Sequence, residues 1–132
     1  MATTVSSVDI SPMAATVNIT IEQGATFRLP IIVSTRSGVT VTPVDLTDYA
    51  ARMQIRMRYT DTTPILALDN ALLGGITFTD AVAGEMQLVI TDVQSAALTF
   101  RTAKYDLEVE SLSGDTTRLM QGTVTLSKEV TR

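Results

Sequence analysis

The sequence predicts an all-β protein, an immunoglobulin-like antiparallel β-sandwich of about seven or eight strands with one short helix near residues 92–98. Apolar and polar residues alternate with a period of two along most of the chain, the pattern of half-buried strands. The alternating runs are short and recur at regular spacing between turn residues, which is typical of a sandwich. We therefore expect two sheets packed face to face.

The alternating runs predict the strands in order. They are Thr16–Glu22, Thr26–Ser34, Ala51–Arg58, Pro64–Asp69, Ile76–Thr79, Glu85–Thr91, Tyr105–Ser111 and Thr116–Ser127. Pro30 cannot donate a hydrogen bond to a neighbouring strand, so the second of these strands is expected at a sheet edge or bulged there. The alternation of the last strand slips at Gln121–Gly122, which predicts a bulge.

The segments between these strands carry turn and helix signals. Thr35–Pro43 is expected to be a loop, and Asp45–Tyr49 a crossover or a single helical turn. Ser113–Asp115 has the composition of a hairpin turn. The period changes to a helical one after Asp92, a plausible N-cap, which predicts one or two turns of helix.

Length and composition restrict the classes of function. The chain has 132 residues, enough for one domain, with a net charge of −4 and neither histidine nor cysteine. Residues 1–15 are expected to form an extended arm before a single sandwich domain of residues 16–132. The acidic balance argues against nucleic-acid binding, and no apolar run is long enough for a membrane helix.

The residue types that usually carry chemistry are scarce. Without histidine or cysteine we expect no enzyme, no cofactor and no metal site, since these residues supply most general bases, thiolates and zinc ligands. The loop carboxylates lack the spacing of a calcium loop, so calcium is a minor alternative. They are Asp45, Asp48, Asp61, Asp69 and Asp80.

Two predicted strands carry opposite charges on their outward faces. Arg52, Arg56 and Arg58 alternate with apolar residues on one strand, and Asp106, Glu108 and Glu110 do so on another. These strands are neighbours in an immunoglobulin-like sheet, so the favoured interpretation is an arginine row beside a carboxylate row that sets strand register. The alternative is that the same residues form a seam for a neighbouring subunit.

The N-terminal residues suggest a second contact surface. Residues 1–15 are rich in threonine and valine, and Asp9 is their only charged side chain. An extended segment of this kind can add to the free sheet edge of a neighbour, and Val5, Val8 and Ile10 would carry the contact. A frayed terminus is the alternative.

The order of several short motifs resembles a widespread family of small tailed-phage and prophage proteins, which read "DLTGY", "ARMQIR", "YDLE" and "RLLQGTV". The matching segments here are Gln23–Val33, Asp45–Arg56, Gly74–Phe78, Ile90–Leu98, Tyr105–Ser111 and Thr117–Arg132. That family is similar to the immunoglobulin-like attachment domain of phage baseplate and receptor-binding proteins. This chain has Asp48 where the family often has glycine.

The resemblance implies a virion structural protein that docks onto the tail or baseplate and contacts other virion proteins and copies of itself. Oligomerisation within the particle is expected. Two alternatives stay open: a capsid decoration or head–tail joining protein, and a carbohydrate-binding module for host adsorption. The carbohydrate alternative needs exposed aromatic rings, for which Tyr49 and Tyr59 are the candidates near loops.

Overall fold

A computed structural model describes residues 6–9 and 14–131 as two stacked sheets with one short helix. Over these residues the elements are β1 (Ser6–Asp9), β2 (Ala15–Thr16), β3 (Ile19–Glu22), β4 (Phe27–Ser37), β5 (Thr40–Pro43), β6 (Ala50–Arg56), β7 (Leu66–Asp69), β8 (Ile76–Asp80), β9 (Glu85–Ile90), α1 (Asp92–Ala96), β10 (Thr102–Glu110) and β11 (Thr116–Ser127). The predicted class, a mainly antiparallel β-sandwich with a short helix, is confirmed. The additional strands are short ones.

The two sheets divide the strands between them. The five-stranded sheet has the order β1-β4-β9-β8, with β5 also paired to β4, and the six-stranded sheet has the order β2-β11-β10-β6-β7, with β3 also paired to β11. The pairs of β1 with β4 and of β2 and β3 with β11 are parallel. The other named strand pairs among the described residues are antiparallel.

The alternation of the sequence places one face of each sheet in the core. On β6 and β10 every second residue is buried, and the intervening residues lie on the outer face of the six-stranded sheet. Burying one such side chain contributes roughly 1.5–3 kcal/mol, so the core sets which face is outward. The buried residues of these two strands are Ala51, Met53, Ile55, Ala103, Tyr105, Leu107 and Val109.

The expectations about β4 have different outcomes. Pro30 pairs with Gln87 of β9 without a register shift, so the expected bulge is not found there. On the other side, β1 pairs with β4 only from Ile31 onward, so over the described residues Pro30 lies at a free edge and β4 is an interior strand only after it. The expected loop Thr35–Pro43 is instead the end of β4 and the whole of β5, joined in a hairpin.

The helix and the last bulge differ from the prediction in their details. Thr91, not Asp92, is the N-cap, and its hydroxyl accepts a hydrogen bond from the Gln94 backbone N–H, 3.1 Å away. The bulge of β11 lies at Leu119–Met120, since Leu107 pairs with Met120 whereas Glu108 pairs with Arg118. Leu119 and Met120 are both buried, which explains the slip in alternation.

The motifs of the phage-family resemblance meet at junctions between elements. The buried hydroxyl of Ser95 in α1 donates to the Ala25 carbonyl at 2.7 Å and accepts from the Gly24 N–H at 3.0 Å. The Gln23 side-chain amide donates to the Leu98 carbonyl at 2.8 Å. These hydrogen bonds hold the β3–β4 turn against the helix.

A second junction joins the N-terminal strands to β11 at Gly122. The buried Tyr105 hydroxyl donates to the Val17 carbonyl at 2.5 Å, and burial raises the pKa of Tyr105 to about 12. The Thr123 N–H donates to the Asn18 side-chain oxygen at 3.0 Å. A Cβ atom at Gly122 would overlap the Val17 carbonyl oxygen, so this approach requires glycine.

We expect Gly122→Ala to lower the free energy of unfolding by roughly 3 kcal/mol, because backbone and not a flexible side chain stands in the way. Gly38→Ala is the control. Its φ is +61° with open space around the Cβ position, so the left-handed strain alone costs about 1–2 kcal/mol. Urea denaturation measures both; equal losses would contradict the steric explanation.

The turn before β6 contains a residue in the left-handed region. Asp48 has φ +66°, the only positive φ outside glycine among the described residues. It lies in a turn that the Tyr49 N–H closes by donating to the Leu46 carbonyl at 3.0 Å. Glycine adopts this conformation without strain, which accounts for the glycine that related motifs carry here.

We expect Asp48→Gly to raise the free energy of unfolding by about 0.5–1 kcal/mol, since relief of strain exceeds the entropy that glycine adds to the unfolded chain. Asp48→Ala is the matched control and should give no gain, because alanine keeps the Cβ atom. Thermal unfolding of the three proteins checks this. A gain with alanine equal to that with glycine would locate the effect in the carboxylate instead.

Candidate functional site

The outer face of the six-stranded sheet forms a concave, charged surface. The concavity encloses about 640 Å³. We call it the charged groove, and its lining includes Arg52, Gln54 and Arg56 of β6, Lys104, Asp106 and Glu108 of β10, Arg118 of β11 and Tyr59 of the following loop. Strands β6 and β10 are adjacent and antiparallel, as expected for the corresponding strands of an immunoglobulin-like sheet.

One end of the groove is neutralised by ion pairs. Arg52 lies opposite Glu108, and its Nε is 3.0 Å from a Glu108 carboxylate oxygen. Its Nη1 is 3.5 Å from a carboxylate oxygen of Glu110. The Arg52 side chain is 48% exposed, so solvent screens these pairs and each contributes at most about 1 kcal/mol.

The other end of the groove places two cations side by side. Arg56 lies directly opposite Lys104, not opposite a carboxylate. The Arg56 guanidinium donates to the Asp61 carbonyl at 2.5 Å and to the Gln54 side-chain oxygen at 2.6 Å. Among the described residues, neither cation forms an ion pair with a carboxylate. We call Arg56 and Lys104 the cationic end.

Lys104 is held in place by uncharged groups as well. Its ammonium donates to the Thr123 hydroxyl at 3.0 Å. The same ammonium lies 5.9 Å from the centre of the Tyr59 ring, within the range of a cation–π contact. Both cations are half-buried.

Arg58 does not belong to the row of charges on β6. It lies two residues beyond the end of that strand, and its Nε is 3.6 Å from a carboxylate oxygen of Asp61 within the same loop. The expectation that Arg56 and Arg58 both face carboxylates of β10 is therefore wrong. The register of the strands places Lys104 beside Arg56, and β6 ends before it reaches Arg58.

Asp106 lies at the centre of the groove and pairs with β11. Its carboxylate is 3.5 Å from Nε of Arg118. Burial, and secondly the neighbouring Glu108, raise the pKa of Asp106, while Arg118, Arg56 and Arg52 act in the opposite direction. Desolvation and the neighbouring carboxylate together therefore outweigh the surrounding arginines at this position.

The predicted residues of the N-terminal arm are only partly described. Val5 and Ile10 lie outside the described residues. Val8 belongs to β1, which pairs in parallel with β4 of the same chain, Val8 opposite Val33. Addition of this arm to a neighbouring subunit stays a prediction.

The hairpin of β4 and β5 is a surface that the sequence interpretation missed. The described pairing of β4 with β9 ends at Ile32 and that with β1 at Ser34, so from Thr35 onward β4 pairs with β5 alone. Every residue of Thr35–Pro43 is exposed. We call this segment the projecting ribbon. Threonine and valine on both sides of Ser37–Gly38 were an available hairpin signal.

Several of the loop carboxylates have structural partners. One oxygen of Asp69 accepts hydrogen bonds from the N–H groups of Ala71, Leu73 and Gly74, and these bonds, that of Ala71 foremost, lower the pKa of Asp69. Hydrogen bonds from Thr47 lower the pKa of Asp45. Within residues 6–9 and 14–131, no three acidic side chains are grouped as metal ligands would be. No helix of this part of the chain is long and apolar enough to cross a membrane.

Comparisons with known proteins show a likeness of fold. Neither a protein-family profile nor a curated protein sequence matches the chain. Among solved structures, the N-terminal domain of phage TP901-1 ORF48 matches with a TM-score of 0.53 and 8% sequence identity. The match covers 94% of this chain and 98% of that domain. At this identity the two share a fold, and nothing more follows from the comparison alone.

The two ends of the groove should respond oppositely to loss of a positive charge. We expect Lys104→Gln to raise the free energy of unfolding by about 0.3–0.5 kcal/mol, because like charges directly opposite each other destabilise a sheet. Arg52→Gln removes an opposite-charge pair and should lower it by up to about 1 kcal/mol.

Urea denaturation at low and high salt measures both effects, and both should shrink as salt screens the charges. The two variants have the same net charge, so each is the control for the other. Destabilisation by Lys104→Gln as large as that by Arg52→Gln would show that the cationic end is structurally satisfied.

Proposed function

We propose that this chain is a structural protein of a tailed-bacteriophage virion, a docking module of the tail or baseplate that acts by contact with other virion proteins. The likeness of fold to a phage protein domain supports this, together with the family resemblance of the sequence motifs. The chain has no histidine or cysteine, and carboxylates such as those of Asp69 and Glu108 serve a turn and an ion pair, which supports a role without catalysis.

The projecting ribbon is the observation that carries the proposal. A two-stranded hairpin is only marginally stable in water by itself, so a ribbon that extends beyond the other strands of its sheet would gain stability from a bound partner. Both of its long edges lack a neighbouring strand among the described residues. Backbone N–H and C=O groups along such edges can add a strand from another protein.

The side chains of the ribbon leave these edges open for association. Monomeric proteins protect exposed edges with charges, prolines or bulges. Here Arg36 is the only charged residue of Thr35–Pro43, and its one proline, Pro43, lies at the base of the ribbon opposite Ser34, whereas Val39 is 99% and Val41 51% exposed. The ribbon therefore combines unpaired backbone with exposed apolar surface, which is typical of a contact surface for another virion subunit.

We expect a Val39→Lys, Val41→Lys variant to fold like the parent and to be incorporated into phage particles at least ~10-fold less, since the lysines would oppose strand addition. Val93→Lys is the matched control, because Val93 is 75% exposed on α1, outside the ribbon. Quantitative immunoblots of purified particles measure incorporation.

Unchanged incorporation of the ribbon variant would exclude the ribbon as the docking surface, and absence of the parent protein from particles would refute the virion role. A capsid decoration or head–tail joining protein would use the same ribbon. Localisation in assembled particles by electron microscopy distinguishes that role from one in the tail or baseplate.

A carbohydrate-binding role is a second candidate that one observation favours. The Tyr59 ring is 72% exposed and lines the charged groove beside Lys104, where a sugar ring could stack. Tyr49, the other candidate, is half-buried against the core. A glycan array with the parent and with Tyr59→Ala tests this role: glycan binding that is lost in the variant would favour it over docking.

A further inference from the structure

The cationic end of the charged groove has a surplus of hydrogen-bond donors. A guanidinium has five N–H donors and an ammonium three. Arg56 uses donors on the Asp61 carbonyl and the Gln54 side chain, and Lys104 uses one on the Thr123 hydroxyl. All of these acceptors are uncharged. Two positive charges are thus oriented by neutral groups, and donors remain on both.

This arrangement costs stability within the single chain. Like charges directly opposite each other on neighbouring strands destabilise a sheet by a few tenths of a kcal/mol. A carboxylate at either position would remove that cost, as Glu108 does for Arg52 in the same groove. A carboxylate supplied by another molecule would neutralise the cationic end and accept hydrogen bonds from both side chains.

The rest of the groove restricts the size and charge of that ligand. Asp106 and Glu108 line the groove next to the cationic end, so a chain of phosphates extending along the groove would meet negative charge. A single carboxylate carries less charge and can stay at the cationic end, so it meets less of this repulsion. The exposed ring of Tyr59 beside Lys104 offers an apolar surface for a short aliphatic stem. An aspartate or glutamate side chain meets these conditions.

From this arrangement we infer that Arg56 and Lys104 form a binding site for a carboxylate side chain of a partner virion protein. This inference rests on the proposed docking function and names the chemistry of one contact. The site is separate from the projecting ribbon, which belongs to the other sheet.

The site can be tested on the isolated full-length chain by NMR titration. The probe is a capped Ala-Ala-Glu-Ala-Ala peptide, and the same peptide with glutamine in place of glutamate is the control. We expect saturable shifts of the Arg56 and Lys104 amides with a Kd of about 1–10 mM, as befits one charged contact. The glutamine peptide should bind at least ~5-fold more weakly.

Variants assign the binding to the two residues. Arg56→Gln and Lys104→Gln should each weaken the glutamate peptide at least ~5-fold, because each removes charge-assisted hydrogen bonds. Arg28→Gln removes the same charge from an exposed residue on β4, in the other sheet, and should leave the Kd unchanged. Arg56→Gln could also rearrange the loop that contains Asp61. Lys104 donates its hydrogen bond to Thr123 and not to that loop, so weaker binding by Lys104→Gln would assign the effect to the site itself.

Three outcomes would overturn the inference: no saturable binding, an equal loss with Arg28→Gln, or stronger binding of a thymidine pentanucleotide than of the glutamate peptide. The last would indicate a nucleic-acid ligand. Because the titration needs no particles, its failure leaves the incorporation results for the ribbon intact. Absence of the chain from particles would conversely leave the measured peptide affinity standing.

Discussion

The pairing register of β6 and β10 determines both the core and the charged groove. It places Met53 opposite Leu107 and Ile55 opposite Tyr105, all of them buried, and it thereby fixes which outward residues are neighbours. A slip of two residues would keep every side chain on its own face. It would also bring Arg56 opposite Asp106, a better match of charge than Lys104.

The observed register shows that packing outweighs the charges. A misfitted core side chain costs about 1–3 kcal/mol, whereas a cross-strand ion pair contributes roughly 0.2–1 kcal/mol. Several core pairs depend on the register, but only one or two ion pairs do. The core therefore sets the register, and the register determines which charged residues become neighbours. This is contrary to the interpretation that the charges set the register. Arg56 and Lys104 lie opposite each other because core packing contributes more energy than cross-strand ion pairs.

Because packing outweighs the charges, the elements with a buried face were predictable from the sequence and the others were not. The alternation of β6, β9 and β10 is strict because one face of each is buried, so these strands were predictable to within a few residues. The projecting ribbon has no buried face, and its threonines and serines were interpreted as a loop. In the groove, the neighbouring strands were predictable, but the partner of Arg56 required a register that alternation alone does not supply.

The motif residues and the contact surfaces are largely different residues. Gln23, Gly24, Ser95 and Tyr105 hold turns and strands together through buried or short hydrogen bonds, and Gly122 permits a close backbone approach. These are requirements of the fold and do not depend on which partner is bound. In the docking role that we propose, specificity would reside in surfaces such as the ribbon and the cationic end. Among the described residues, the ribbon leaves backbone groups and the cationic end leaves charges without partners, as expected where stability is given up for binding.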